Sequence, residues 1–372
     1  DSWKTKLISG IDFDYSPSSR KENPITLSST GSGAYKNYYA YTINGTMPYD
    51  YDATYRNVAP YLQLESSPIS NLKAILGMRY DSTTFDMTNN KNAGYTQIGS
   101  NYYYSPGEAS SSFSHLSPKI GFIYALSSSQ VLYASYNQGF RSPSESQLFR
   151  GGRSGTTANA LALFNAASNL KPIVADQYEL GTRGNGLGWN YELVAYELTK
   201  RDDLLSQRDE NGYSVQTNNG KTRHRGIELA LGRELTTGLR FDSAVSYAKH
   251  EYASWVIDTV NYTGKEIEAA PRWLVNSRLT HFQGKSHQSQ IEWVKIGSYY
   301  LDAANSGGKY SGHNLFNVRH SQSIDKNIDG FIRVTNIFDK RYADSASWSS
   351  SNGATYSPGL PRTIYVGLAS KF

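Results

Sequence analysis

Hydrophobic and polar residues alternate with a period of two in one segment of the chain after another. Leu72, Ala74, Leu76, Met78 and Tyr80 fall on one side of an extended chain, and Lys73, Ile75, Gly77, Arg79 and Asp81 on the other. Successive side chains of a strand point to opposite faces, so this is the signature of a two-faced strand. Ile11, Phe13 and Tyr15 alternate in the same way with Asp12 and Asp14. So do Ile227, Leu229 and Leu231 with Gly226, Glu228 and Ala230. Leu239, Phe241, Val245 and Tyr247 alternate with Arg240, Asp242, Ser246 and His250. No run approaches the ~18 continuous apolar residues of a membrane-spanning helix, which excludes a helical membrane protein. Strands apolar on one face and charged on the other fit a transmembrane β-barrel, greasy outside and wet within. Alternation alone would serve a soluble barrel equally well, so the connections must decide.

The pattern predicts an all-β fold of about fourteen strands, at roughly 3–15, 53–66, 72–86, 112–126, 130–141, 173–184, 189–201, 221–235, 239–252, 268–282, 287–301, 311–323, 328–338 and 361–372. Short turns at 67–71, 127–129, 185–188, 235–238 and 324–327 alternate with long excursions at 16–52, 87–111, 142–172, 202–220, 253–267 and 339–360. Short periplasmic turns and long external loops are the habit of bacterial barrels. A soluble sandwich has no reason to send every long loop to one end. With the last strand descending to the periplasm and the first ascending, all long excursions emerge outside. The stretch 157–169 (TANALALFNAASN) reads as a short helix inside one of them.

Composition agrees. Thirty tyrosines and 13% aromatic residues suit the interfacial girdles of a barrel, where an amphipathic ring is comfortable. There is no cysteine, hence no disulfide framework and no thiolate metal site. The formal charge is +5, but Lys and Arg are scattered rather than clustered, which argues against a nucleic-acid partner; a basic lumen for an anionic ligand is the better match to that charge, which does not by itself show one. His115, His224, His250, His281, His287, His313 and His320 show no metal-motif spacing and read as solvated wall or loop residues, so neither a metal site nor a cofactor is expected. Gly184, Gly186 and Gly188 read as a hairpin turn rather than a nucleotide loop. The Ser of 308–312 (GKYSG) is misplaced for a nucleophile elbow, and no acid–base constellation can be assembled, so an outer-membrane protease or lipase is disfavoured. Asp202, Asp203, Asp209 and Glu210 share one excursion, where a solvated loop is weighed against a calcium or lipopolysaccharide bridge.

Several segments together resemble the C-terminal half of the TonB-dependent receptors. They are 131–143 (VLYASYNQGFRSP), 169–172 (NLKP) followed by 176–181 (DQYELG), 222–228 (TRHRGIE), 334–342 (VTNIFDKRY), and 358–362 (PGLPR) with the terminal Phe372. Ile173 stands where that family usually has Glu, and Ser370 where an aromatic residue is common. The resemblance implies a monomeric barrel of 22 strands in the outer membrane of a Gram-negative bacterium, occluded by an N-terminal plug that engages TonB. On that reading the chain is the C-terminal portion of the barrel, with the plug and first strands preceding it. Phe372 would carry the signal read by the barrel-assembly machinery, and lipid and lipopolysaccharide would surround the wall. The expected activity is TonB-dependent uptake of a scarce ligand, first a ferric siderophore. Haem, cobalamin, an oligosaccharide and passive porin-type conduction are the rivals.

Ligand contacts are expected from aromatic residues and arginines on the excursions: Tyr102, Tyr103, Tyr104, Arg150, Arg153, Trp255, Tyr310 and Trp348. Arginine pairs with anionic oxygens, and rings stack on flat ligands. For each residue, packing within a loop is the competing explanation. Arg79, Glu179, Arg183 and Glu228 are expected to face the lumen.

Overall fold

A computed structural model of the chain describes residues 3–32, 35–43, 45–186, 188–208, 213–257, 259–284, 286–349 and 351–370. Fourteen strands make one antiparallel sheet in chain order. They are β1 (Lys4–Lys21), β2 (Asp50–Ile69), β3 (Leu72–Asn89), β4 (Glu108–Ser127), β5 (Gln130–Arg141), β6 (Ile173–Gly186), β7 (Trp189–Arg208), β8 (Ser214–Thr236), β9 (Leu239–Ser254), β10 (Trp273–Gln283), β11 (His287–Ile296), β12 (His313–Ser323), β13 (Ile328–Thr335) and β14 (Thr363–Ser370). Every sheet neighbour is thus a chain neighbour, the meander that short turns enforce. Among the described residues β1 and β14 are each paired on one side. Phe372 lies outside the described residues.

The two faces separate as the alternation predicts. Ile11, Phe13, Leu76, Met78, Leu180, Val366 and Leu368 are exposed on one face. In water such a strip would be a liability, but against lipid it is the outer surface of a barrel. On the other face Arg79 bridges Asp81, at 3.0 Å, and Asp12 on β1. Asn57 donates to Asp81 and accepts from Thr83, which extends the network along β2 and β3. Further round, Glu292 accepts from Asn276 at 3.0 Å, Asn317 at 2.8 Å and Arg278 at 3.1 Å, joining β10, β11 and β12. The Arg79 face of β3 also carries Phe85 and Met87, onto which an external excursion packs, so it is the interior.

Strand ends depart from expectation for physical reasons. β1 runs on to Lys21, with Lys21 opposite Asp50. Ser18, Ser19, Arg20 and Lys21 are wet on both faces above the membrane, and the alternation stops where the ladder does not. Pro17 lies opposite Thr54 in this ladder. The predicted loop 202–220 is mostly ladder: β7 and β8 climb through it, with register shifts around Asp203 and a left-handed Asp202 at φ 53°. β10 starts only at Trp273, because Pro271 and Ala269, at φ 54°, hold the chain out of the ladder before it. β11 stops at Ile296 rather than continuing to residue 301; Tyr299–Tyr300 pairs instead with Lys309–Tyr310 in a separate hairpin. β13 stops at Thr335, since Asn336 adopts φ 52° and its side chain closes a turn on both the N–H and the carbonyl of Lys340.

Candidate ligand site at the external end

Three excursions close over the interior between β1 and β6. The helix α1 (Glu145–Phe149) begins in a capping box: Ser144 accepts from the Gln147 N–H, and Gln147 accepts from the Ser144 N–H at 2.8 Å. Leu148 and Phe149 are fully buried against Tyr49, Tyr51, Ala53, Phe85 and Met87 on the inner wall. Burying a leucine and a phenylalanine contributes roughly 3–6 kcal/mol, enough to hold a helix this short in place. Gly151 and Gly152 then pass beneath α2 (Thr157–Ser168), the helix expected at 157–169. A Cβ at Gly151 would lie 2.4 Å from the Ala167 Cβ, so only glycine permits the approach. Arg153–Ser154 adds a short strand to the hairpin of Gly94–Ile98 and Asn101–Ser105, opposite Tyr103 and Tyr102.

A cavity of about 320 Å³ opens between these parts. Tyr49, Tyr103, Arg150, Arg153 and Glu22 line it. The Arg153 guanidinium sits 5.6 Å from the centre of the Tyr103 ring. Tyr49 meets Tyr103 edge to face at 5.8 Å, and its hydroxyl donates to the Arg150 carbonyl at 3.1 Å. Arg150 lies 3.6 Å from Glu22, which is also held by Arg20 at 2.8 Å. The Nε of Arg150 is buried without a protein acceptor among the described residues. Two guanidinium groups thus face one shared carboxylate, which leaves donors for an anion.

Burial sets the local acidities. It pushes the Tyr49 phenol up, reinforced by Tyr103 and Glu22, so this ring stays a neutral donor. It also raises the Glu145 carboxyl, against the pull of Arg150 and Arg20, and the Tyr51 hydroxyl donates to that carboxyl. It lowers the Lys91 ammonium, which ties Met47 to Thr96 and so joins two of the excursions.

Of the eight residues expected to meet ligand, the fold brings Tyr103, Arg150 and Arg153 to this cavity. Tyr102 lies opposite Ser154, and Tyr104 turns to Phe164 on α2, 5.3 Å between ring centres. The other three lie elsewhere. Trp255 is buried between Tyr252 and Tyr262. Tyr310 is buried with Tyr299 and His313, and the Ala343 N–H donates to its hydroxyl at 3.2 Å. Trp348 lies over Gly307, and its backbone N–H donates to the Leu301 carbonyl. Glu22 and Tyr49 carry no local motif; only long-range closure puts them on the cavity.

Arg79, Glu179, Arg183 and Glu228 all lie on the inner face. Glu179, Glu192 and Glu228 line a second hollow of about 650 Å³ on the wall, with the Tyr133 hydroxyl donating to Glu192 at 3.0 Å.

Residues 7–337 match the family model described as TonB dependent receptor-like, beta-barrel. The ferric-pyoverdine BN7/BN8 receptor of Pseudomonas putida is 24% identical over 260 residues, covering 68% of this chain and 28% of that protein. The ferric-catecholate import receptor Fiu of E. coli K12, in its closed form, superposes with a TM-score of 0.72 at 17% identity, over 100% of this chain and 52% of that one. The siderophore receptor PiuA of Acinetobacter baumannii gives a TM-score of 0.72 at 16% identity, over 99% and 53%. The chain therefore spans about half the length of those structures, and at such identities they speak for the fold.

Proposed function

Since the chain belongs to the TonB dependent receptor-like β-barrel family of the outer membrane, we propose that it forms the wall and external vestibule of a ferric-siderophore transporter energised through TonB. The family is one of receptors, not enzymes. The observation that carries the reading is the cavity at Arg150 and Arg153, lined from three excursions, with the buried Tyr49 and the half-buried Tyr103 beside the arginines. A ferric chelate presents anionic oxygens, often on flat rings. Arginine donors hold such oxygens, and Tyr49 and Tyr103 offer ring faces and edges. The relatives named above take ferric pyoverdine and ferric catecholates, which supports a chelate of that general kind.

On this reading capture begins in the cavity and passes to the inner wall, where the acid-rich hollow at Glu179, Glu192 and Glu228 would face a plug domain that contacts TonB. The test is uptake of labelled ferric siderophores by cells that lack their own receptors and express this protein in full length. Accumulation that stops when the inner-membrane gradient is collapsed supports the proposal. Gradient-independent entry would point to a passive channel. Rescue by haem, cobalamin or an oligosaccharide alone would move the ligand class.

A further inference from the structure

We propose that Arg278, Arg319 and Arg333 form a site on the inner wall for a small free oxyanion, a phosphate or a carboxylate, separate from the external cavity. The inference needs only that this face is the interior, and it does not depend on the ligand proposed above. The ladder from β10 to β12 places Arg278, Glu292 and Asn317 in one cross-strand row. Gln290, Arg319, Arg333 and Tyr365 form the next row towards the periplasm, reaching β14. Ile332 and Val366 alternate with them and are exposed on the lipid side.

Two guanidinium groups are directly opposed there. Arg319 and Arg333 are register partners on β12 and β13, and like charges facing each other across a ladder repel. Carboxylates nearby are already engaged. One oxygen of Glu292 accepts from Asn276 at 3.0 Å and Arg278 at 3.1 Å, and the other from Asn317 at 2.8 Å. Arg333 comes only to 3.8 Å from that second oxygen, beyond hydrogen-bond range. Asp242, opposite Arg278, is held by the Nε and Nη2 of Arg240. Among the described residues Arg319 pairs with no carboxylate; its guanidinium sits over the Phe331 ring, 5.0 Å from the centre. That ring is fixed in turn, since it lies across Gly367 on β14, where a Cβ would come within 2.3 Å of it. The ring covers a face of the guanidinium and leaves the N–H edge for another acceptor. At Arg79 the balance is reversed, with one arginine shared by Asp12 and Asp81.

A cavity of about 180 Å³ opens among Arg278, Gln290, Glu292, Asn317, Arg319 and Arg333. That is room for a group of phosphate or carboxylate size rather than for a single water. Glu292 repels such a guest, so the anion belongs on the Arg319–Arg333 side. An oxyanion between the two forks turns their repulsion into charge-assisted hydrogen bonds, which a fork geometry accepts in pairs.

The test uses the full-length protein in mild detergent, exchanged into chloride and titrated calorimetrically with inorganic phosphate at constant ionic strength. Arg150→Gln and Arg153→Gln are present throughout, so that the external cavity does not contribute. A phosphate-binding step is expected in that background. Adding Arg319→Gln or Arg333→Gln should weaken it about ten-fold or more, the scale of one charge-assisted hydrogen bond, while the heat-modifiable gel shift of a folded barrel persists. Should a variant lose the shift, crystals of the unaltered full-length protein soaked in selenate still test the site. Data at the selenium absorption edge should then give a peak within hydrogen-bond reach of both guanidinium groups. No phosphate step in the background protein, undiminished affinity in the folded Arg319 and Arg333 variants, or a carboxylate of the protein itself lodged between the two arginines in those crystals would overturn the proposal.

Discussion

Glu22, on the excursion that leaves β1, lies 3.6 Å from a terminal nitrogen of Arg150, the residue that ends α1. The pair bridges two segments that meet only when both excursions close over the interior. It also sets the charge of the cavity, because Glu22 competes with any anion for Arg150. Arg150→Gln is expected to weaken binding of an anionic ferric chelate by about ten-fold or more, the scale of one charge-assisted hydrogen bond. Glu22→Gln should strengthen it by a few-fold. Titration of the intrinsic tyrosine and tryptophan fluorescence with chelate measures both, and changes in the same direction would contradict the competition.

Phe149 is almost completely buried in the inner-wall cluster. Phe149→Ala is expected to cost about 3–5 kcal/mol locally. The barrel ladder does not depend on that contact. Limited proteolysis should therefore cut the 142–172 excursion faster in the variant, while the heat-modifiable gel shift persists. Loss of the shift would show that the excursion is needed for the wall itself.

Glu145 should make the docking of α1 depend on pH. Burial raises its carboxyl above the ordinary range, and Arg150 and Arg20 only partly oppose this. A group raised in the folded state favours that state fully below its unfolded pKa of about 4.3, and the contribution is lost as pH rises through the raised value. At neutral pH the ionised carboxylate therefore works against docking. Glu145→Gln should slow hydrogen exchange of residues 145–150 at pH 7 and leave it nearly unchanged at pH 4. Faster exchange at pH 7 would contradict this sign.

Arg79 joins Asp12 on β1 to Asp81 on β3 across the inner wall. Asp81 is 7% exposed, so Arg79→Ala leaves a buried carboxylate without its cation. A cost of roughly 1–3 kcal/mol is expected, seen as a lower urea midpoint of the reconstituted barrel. Arg79→Lys should recover part of it, since a point charge replaces a forked donor.

The wall was legible where the two faces of a strand meet different solvents. Leu72 to Tyr80 alternates because lipid and water select opposite residues, and register follows from that. Above the membrane the signal disappears although the ladder continues, as Ser18 to Lys21 show. The excursions were less legible. Trp255 and Tyr310 had the same local look as Tyr103, because an aromatic residue in a loop serves a loop core as readily as a ligand. Which role it takes depends on contacts far along the chain. Tyr103 meets Arg153 only because β4 and β5 bring the two excursions together, and no periodicity records that closure. Asn336 and Pro271 show the same limit at strand ends, where one turn-forming residue overrides a continuing apolar pattern.

Crystals of the full-length protein grown with a ferric siderophore, measured at the iron absorption edge, test the central claim most directly. The account predicts an anomalous peak in the external cavity, bracketed by Arg150 and Arg153 with the chelate against Tyr49 or Tyr103. An iron peak at another set of excursions, such as the Tyr310 cluster, with the Arg150 cavity unchanged, would contradict it.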